Sequence, residues 1–420
     1  MTPRERVLAA IEHQESDRIP IDFGGHRSSG IMAMAYARLK ETLGIHTGDI
    51  YVYDVIQQLA IVEPDVADAV GADAVELGRA FMTGDGEWKD WQLPDGTPCK
   101  IPAYVELERR GGDWYLLGAD GTDYGIQKQG CLYFEQTHFP LMERGVDGDD
   151  FGDLADRLGE SMWTGTATPG GHFPLDDAGL ERLAQGAAAL RAGTDRAIIG
   201  LFGGNVFEIP QFLYRIDNHL AHMALYPEAV RRLVAALADL HMAHLEKFLG
   251  AVGEHIDIIL FGDDLGGQNG PLISPRMYRE FCKPHHARLW RRAKELADVK
   301  VMLHSCGGIE PLLDDLIDAG LDTTNPVQTT CSGMDPRHLK DTYGDRLCFW
   351  GGGCDTRDVL PNGTPDQVRD HVREQCDILG PGGGLRVPAG PQHHGRCAGR
   401  ERGGHVRGRP RKLTTGRRNS

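Results

Sequence analysis

The 420-residue chain contains no run of 18 or more apolar residues, which excludes a long hydrophobic membrane-spanning helix. It has no excess of basic residues. Its 45 Lys and Arg stand against 61 Asp and Glu, a formal charge of −16, so the main body is a poor partner for nucleic acid. The first residues, MTPRERVLAAIEHQESDRIP, lack the apolar core of an export signal. With no such signal and an odd number of cysteines, nine, a disulfide framework is not expected. The expected setting is a reducing cytoplasm with thiols free or metal-bound. No GxGxxG follows an early strand, which disfavours a dinucleotide-binding fold.

What is present is an alternation of strand and helix signals. Apolar strands are expected at Arg18–Phe23, Ala74–Leu77, Ala197–Phe202, His255–Phe261, Val299–His304, Thr323–Asn325 and Leu347–Trp350. Helices are expected between them, including Asp54–Val70, Pro227–Leu249 and Thr364–Leu379, the last capped by Thr364. Repeated βα units over this length point to an α/β fold, a (β/α)₈ TIM barrel occupying residues 1–384. Aromatics are only 7% of the chain, yet Trp88, Trp91, Trp114, Tyr115, Tyr124 and Tyr133 crowd between turn signals. Residues 82–139 therefore read as a β-rich insertion.

The sharpest motif is V-M-L-H-S-C-G-G, which puts His304 and Cys306 at the end of a strand. Residues i and i+2 share a strand face, so an imidazole and a thiolate can reach one ion. The strand after next ends in C-F-W-G-G-G-C-D and brings Cys354 to the same rim. Three soft or borderline donors with one open position match a catalytic zinc site. Such a site either activates water or binds a substrate thiol. Two thiolate ligands weaken zinc as an acid toward water, which favours alkyl transfer involving sulfur or a methyl donor.

From Ala9 to about Gly384 the chain resembles the uroporphyrinogen decarboxylase-like superfamily, and GDDLGGQNGPLISPRMYREF resembles its mid-barrel strand, loop and helix. H-S-C-G and W-G-G-G-C-D resemble the zinc-containing branch, the corrinoid-dependent methyltransferases, which includes coenzyme M methyltransferases and O-demethylase components. The resemblance implies zinc on His304, Cys306 and Cys354, and a small methyl donor or thiol acceptor. It also implies a corrinoid (cobalamin) carried by a partner protein, since no D-x-H-x-x-G occurs in this chain. The alternative it implies is uroporphyrinogen decarboxylase, an enzyme of porphyrin biosynthesis. That activity needs several arginines to hold a polycarboxylate, and F-G-G-H-R-S-S-G supplies only Arg27. GLFGGNVFEIPQFL stands where a decarboxylase would carry its Gly-Phe-Pro-Tyr-Thr loop.

Asp263 and Asp264 follow a predicted strand and are candidate acid–base groups or ligands. His26 and Arg27, after the first strand, and Asn325, at a strand end, are candidate substrate-binding residues. Gln57, Gln58, Glu208 and Gln328 read as solvated or structural.

Residues 385–420 depart from everything before them. They hold ten Lys or Arg and one acid, with no apolar periodicity. They read as a frameshifted, disordered basic tail, and His393–His394 carries no metal expectation for that reason. Shifted by one base, the codons of this segment admit a strand, a His-Asn pair and an amphipathic helix. On this reading the last βα unit is lost, the barrel stays open, and the chain is an inactive frameshifted remnant.

Overall fold

The computed structural model describes residues 1–78, 86–166, 175–383 and 385–388. The start of the predicted insertion (82–85) and the tail beyond 388 lie outside the described residues.

Eight strands make one parallel sheet: β1 (Ile21–Asp22), β2 (Ala74–Glu76), β3 (Ala197–Gly203), β4 (Ile258–Gly262), β5 (Lys300–His304), β6 (Thr323–Asn325), β7 (Cys348–Trp350) and β8 (Leu385–Pro388). From β2 onward each strand pairs with the next in chain order, and β8 pairs with β1. The remaining seam joins where the Asp73 N–H donates to the Ile21 carbonyl at 2.7 Å, beside β1 and β2. The sheet thus curls into a TIM-like barrel with helices outside.

The closing strand corrects one expectation. Residues 385–388 are not lost to the barrel: Val387 pairs with Ile21, and Leu385 with Phe349. A strand slot between two open edges is filled by backbone hydrogen bonds, which do not require the apolar periodicity this segment lacks.

Alternation along the strands sets the two cores. Ile258, Leu260, Met302, Cys348 and Trp350 pack together inside the barrel, where Val7 and Ile11 of the helix Pro3–Ile11 join them. Ile259, Phe261, Val301 and Leu303 pack in the outer layer with the helices Pro227–Val252 and Lys283–Leu296. Burying one such Leu or Ile side chain contributes about 1.5–3 kcal/mol.

A helix is expected over Asp54–Val70, but only Pro64–Val70 forms one. The Asp54 carboxylate accepts from the Gln57 N–H at 3.0 Å, and Gln58 adopts φ +56°. Together they make a turn that reverses the chain into Leu59–Ala60, antiparallel to Ile31–Met32. The insertion is β-rich as expected. Trp88–Gln92 and Pro98–Pro102 form a hairpin, and four more antiparallel strands lie between Glu106 and Gln136.

Candidate metal centre at the carboxyl end of the barrel

His304 ends β5 in phase with the interior Met302 and out of phase with Val301 and Leu303. Its ring therefore points into the barrel mouth. Cys306 continues the same phase, with its Sγ 3.6 Å from His304 Nε2. On β4 the same alternation separates two adjacent acids. Asp264 follows the inward phase of Ile258 and Leu260, while Asp263 follows the outward phase of Ile259 and Phe261. Donor atoms of Asp264, His304 and Cys306 all lie within 4.8 Å of one another.

Neighbouring groups fix this trio. Asp264 Oδ1 accepts the Cys306 backbone N–H at 2.8 Å. Asn325 Nδ2 donates to the Trp350 carbonyl at 2.9 Å, which turns its Oδ1 toward His304 Nδ1, also at 2.9 Å. A proton on Nδ1 satisfies that contact and leaves the Nε2 lone pair facing Cys306 and Asp264. Gly307 (φ +87°) and Gly266 pass backbone against backbone: a Cβ on Gly307 would stand 2.3 Å from the Gly266 carbonyl carbon. The glycine after Cys306 is thus required by close approach. Gln328 Oε1 accepts the Gly307 N–H at 2.7 Å and pins that turn.

The electrostatics are crowded with one sign. Burial, then the charges of Asp264 and Asp263, push the Glu208 carboxyl well above its ordinary range. Burial, then Asp264 and Glu208, push the Cys306 thiol up as well. A divalent cation among these donors would reverse that balance, and the donor set of one imidazole, one thiol and one carboxylate suits zinc. The residues present therefore fit the metal expected from the sequence.

Cys354 stands outside the tight trio. It follows three glycines on the loop after β7 and lines the same cavity of about 290 Å³ as His304 and Cys306. Its Sγ lies 3.7 Å from the Asp355 carbonyl. The expected donor set of His304, Cys306 and Cys354 thus has Asp264, not Cys354, as the third member of its compact cluster.

Other expectations need correction. Asp263 is fully buried and faces away from the cavity, because its strand phase sends it under the helices. His26 is also fully buried, with Nε2 3.2 Å from Asp22 Oδ2 and its ring edge-on to Trp350, so it supports the barrel wall rather than a substrate. Burial alone would raise Asp22, but His26 and the Trp350 indole N–H outweigh it and hold its carboxyl below the ordinary value. Arg27 pairs through Nε with Asp54 at 2.8 Å and does not line the cavity that His304 and Cys306 share. Asn325 borders the cavity, but both ends of its amide are engaged by His304 and Trp350.

Glu208, read from the sequence as solvated or structural, belongs to the site, and Arg357 was not singled out at all. Glu208 opens the helix Glu208–Tyr214 beside Asp264. Its signal was its place just past the end of β3, on the active rim of a barrel. Arg357 lines the cavity and donates to Gln268 Oε1 at 2.5 Å across the rim. A lone arginine in a loop carries no sequence signal of that kind.

Comparison with known proteins agrees with this architecture. Residues 174–394 match the family described as uroporphyrinogen decarboxylase (URO-D). The chain is 31% identical over 178 residues to a methylated-thiol–coenzyme M methyltransferase of Methanosarcina mazei, covering 41% of this chain and 43% of that protein. It is 27% identical over 176 residues to a uroporphyrinogen decarboxylase of Salinibacter ruber, covering 40% of this chain and 46% of that protein. The chain thus spans less than half the length of the curated relatives it matches. A solved methyltransferase from Methanosarcina mazei shares the fold with TM-score 0.53 at 16% identity, over 93% of this chain and 95% of its own. With the family match covering more than half of its length, the chain belongs to the uroporphyrinogen decarboxylase family.

Proposed function

We propose that this protein is a zinc-dependent methyltransferase that moves a methyl group between a small substrate and a corrinoid carried by a partner protein. The observation that carries the reading is the convergence of Asp264, His304 and Cys306 at one cavity, with Asn325 fixing the histidine tautomer. His304, Cys306 and Asp264 would hold the metal, and Cys354 is the further donor available from the same cavity. When bound, zinc supplies the Lewis acidity that keeps a substrate thiol ionised at neutral pH. The chain's own residues do the rest. Asn325 orients His304, and Gln328 and Gly307 hold the Cys306 turn open toward the cavity. Glu208, whose carboxyl is pushed up by burial and by the Asp264 and Asp263 charges before a cation binds, is placed to exchange a proton beside Asp264. The methylated-thiol–coenzyme M methyltransferase relative supports this reading.

The alternative is decarboxylation of a porphyrinogen, which the second relative represents. A substrate rich in carboxylates calls for several guanidinium partners. Among the described residues only Arg357 brings a cation to the cavity wall, and Arg27 is committed to Asp54. This favours methyl transfer.

Metal analysis of the full-length protein beside C306S, D264N and C354S tests the reading. About one zinc per chain, with binding weakened by at least tenfold in C306S, is expected. A folded, metal-free wild type that gains no zinc on reconstitution would return the decarboxylase reading to first place.

A further inference from the structure

One buried polar chain has no part in the scheme above. Asp263 is fully buried, yet its carboxylate is among the most heavily bonded in the molecule. It accepts three consecutive backbone N–H groups, from Val206 at 3.0 Å, Phe207 at 3.0 Å and Glu208 at 2.7 Å. A fourth contact comes from His286 Nε2 at 2.9 Å. The other ring nitrogen of His286 meets the Tyr278 hydroxyl at 3.0 Å, and the ring stacks on Trp290 at 4.8 Å. His286 and Tyr278 are both buried, on successive helices outside the barrel.

This chain of contacts ends at the metal centre from two sides. The Asp263 main-chain N–H donates to the His304 carbonyl at 2.9 Å. The next residue, Asp264, takes the Cys306 N–H, and the Leu265 N–H donates to Ser305 Oγ at 3.0 Å. Segment 263–265 is thereby registered rung by rung against 304–306. The Asp263 side chain meanwhile fixes the turn that carries Glu208 to Asp264. A shift of Asp263 would move a carboxylate donor relative to the imidazole and thiol donors, and would move Glu208 with it.

We infer that His286 and Asp263 are a positioning pair for the metal centre: they touch no ligand, but set the spacing of Asp264 and Glu208 against His304 and Cys306. The imidazole N–H toward Asp263 does the orienting, and Tyr278 holds the imidazole. The inference rests on the metal reading proposed above. It differs from plain core packing because it requires a hydrogen-bond donor at position 286, not merely a ring of that volume.

The test uses the full chain, with Co²⁺ as a spectroscopic probe and Zn²⁺ by competition with a chelator. Four proteins are compared: wild type, H286L, H286Q and Y278F. Loss of a supporting hydrogen bond of this kind typically weakens metal binding about 10- to 100-fold. H286L is expected to show that loss and altered cobalt absorption bands while still melting cooperatively. H286Q keeps an N–H donor, so it is expected to remain within a few fold of wild type. Y278F is expected to fall between them. Folded H286L with wild-type affinity and spectrum overturns the inference, as does H286Q failing as badly as H286L. If H286L does not fold, Y278F decides, and a spectrum and affinity equal to wild type sink the idea. A wild type that binds neither ion removes the metal reading itself, an outcome distinct from variants that bind as wild type does.

Discussion

The two ends of the barrel use the same residue types in opposite ways. At the amino end of the strands, Asp73 is fully buried and pairs with Arg6 at 2.6 Å and Arg18 at 2.7 Å. Asp257, also buried, pairs with Arg4 at 2.6 Å and Arg191 at 2.5 Å and accepts the Ile198 N–H. Each acid there meets two guanidinium groups. At the carboxyl end, Asp264, Glu208 and Cys306 crowd together, and among the described residues no arginine pairs with any of them. Among the described residues the one basic side chain paired with Asp264 is His304, at 3.6 Å. Acids matched by arginines hold a barrel shut. Acids and a thiol left with like neighbours form a site that a cation would complete.

Substitutions can break this contrast, starting at the end expected to be costly. Asp73→Ala leaves Arg6 buried with one partner fewer, and removing one member of a buried pair costs about 3–5 kcal/mol. Urea denaturation should show that loss, with metal stoichiometry unchanged in the folded fraction. Equal stability to wild type would mean that the amino-end pairs are not structural.

Asp264→Asn should behave in the opposite sense. The amide oxygen can still accept the Cys306 N–H, so metal-free stability should stay within about 1 kcal/mol of wild type. Metal affinity should nevertheless fall by at least tenfold, read by chelator competition. A large loss of stability would show that Asp264 works as Asp73 does.

A more gradual effect, spread over several pH units, concerns acid stability behind the site. Burial lowers His219 to about 3 and His241 to about 4. The unfolded chain takes up these protons first, near pH 6.5. Stability should therefore be full above that pH and fall as pH drops toward the folded-state values. The expected slope is about 1.4 kcal/mol per pH unit for each histidine. His219→Phe should remove its share of the slope between pH 6.5 and 4 in denaturation curves taken at several pH values. An unchanged slope would locate the acid sensitivity elsewhere.

Much of the fold was legible because strand and helix periods are local properties. His304 and Cys306 were legible for the same reason: i and i+2 on a strand must share a face. The choice between Asp263 and Asp264 was also written in the alternation of I-D-I-I-L-F-G-D-D, since the inward phase of Ile258 and Leu260 reaches Asp264. Leaving the two acids as equal candidates neglected that phase. The helix expected over Asp54–Val70 failed because Asp54 caps a turn and Gln58 takes a positive φ, a choice that tertiary pairing with Ile31–Met32 rewards. The basic composition after Leu385 suggested an open barrel, whereas pairing with two waiting edges made a strand.

The sequence by itself determined the α/β barrel, the β-rich insertion and a soft donor pair at the end of one strand. These follow from hydrophobic period and residue type. The tertiary structure alone decided that the inward-phase Asp264 comes within donor distance of His304 and Cys306, that Glu208 stands beside it, and that His26 and Arg27 serve Asp22 and Asp54. Those outcomes depend on loops from different strands meeting at one rim. Spacing along the chain carries no information about such distances, which only the closed sheet sets.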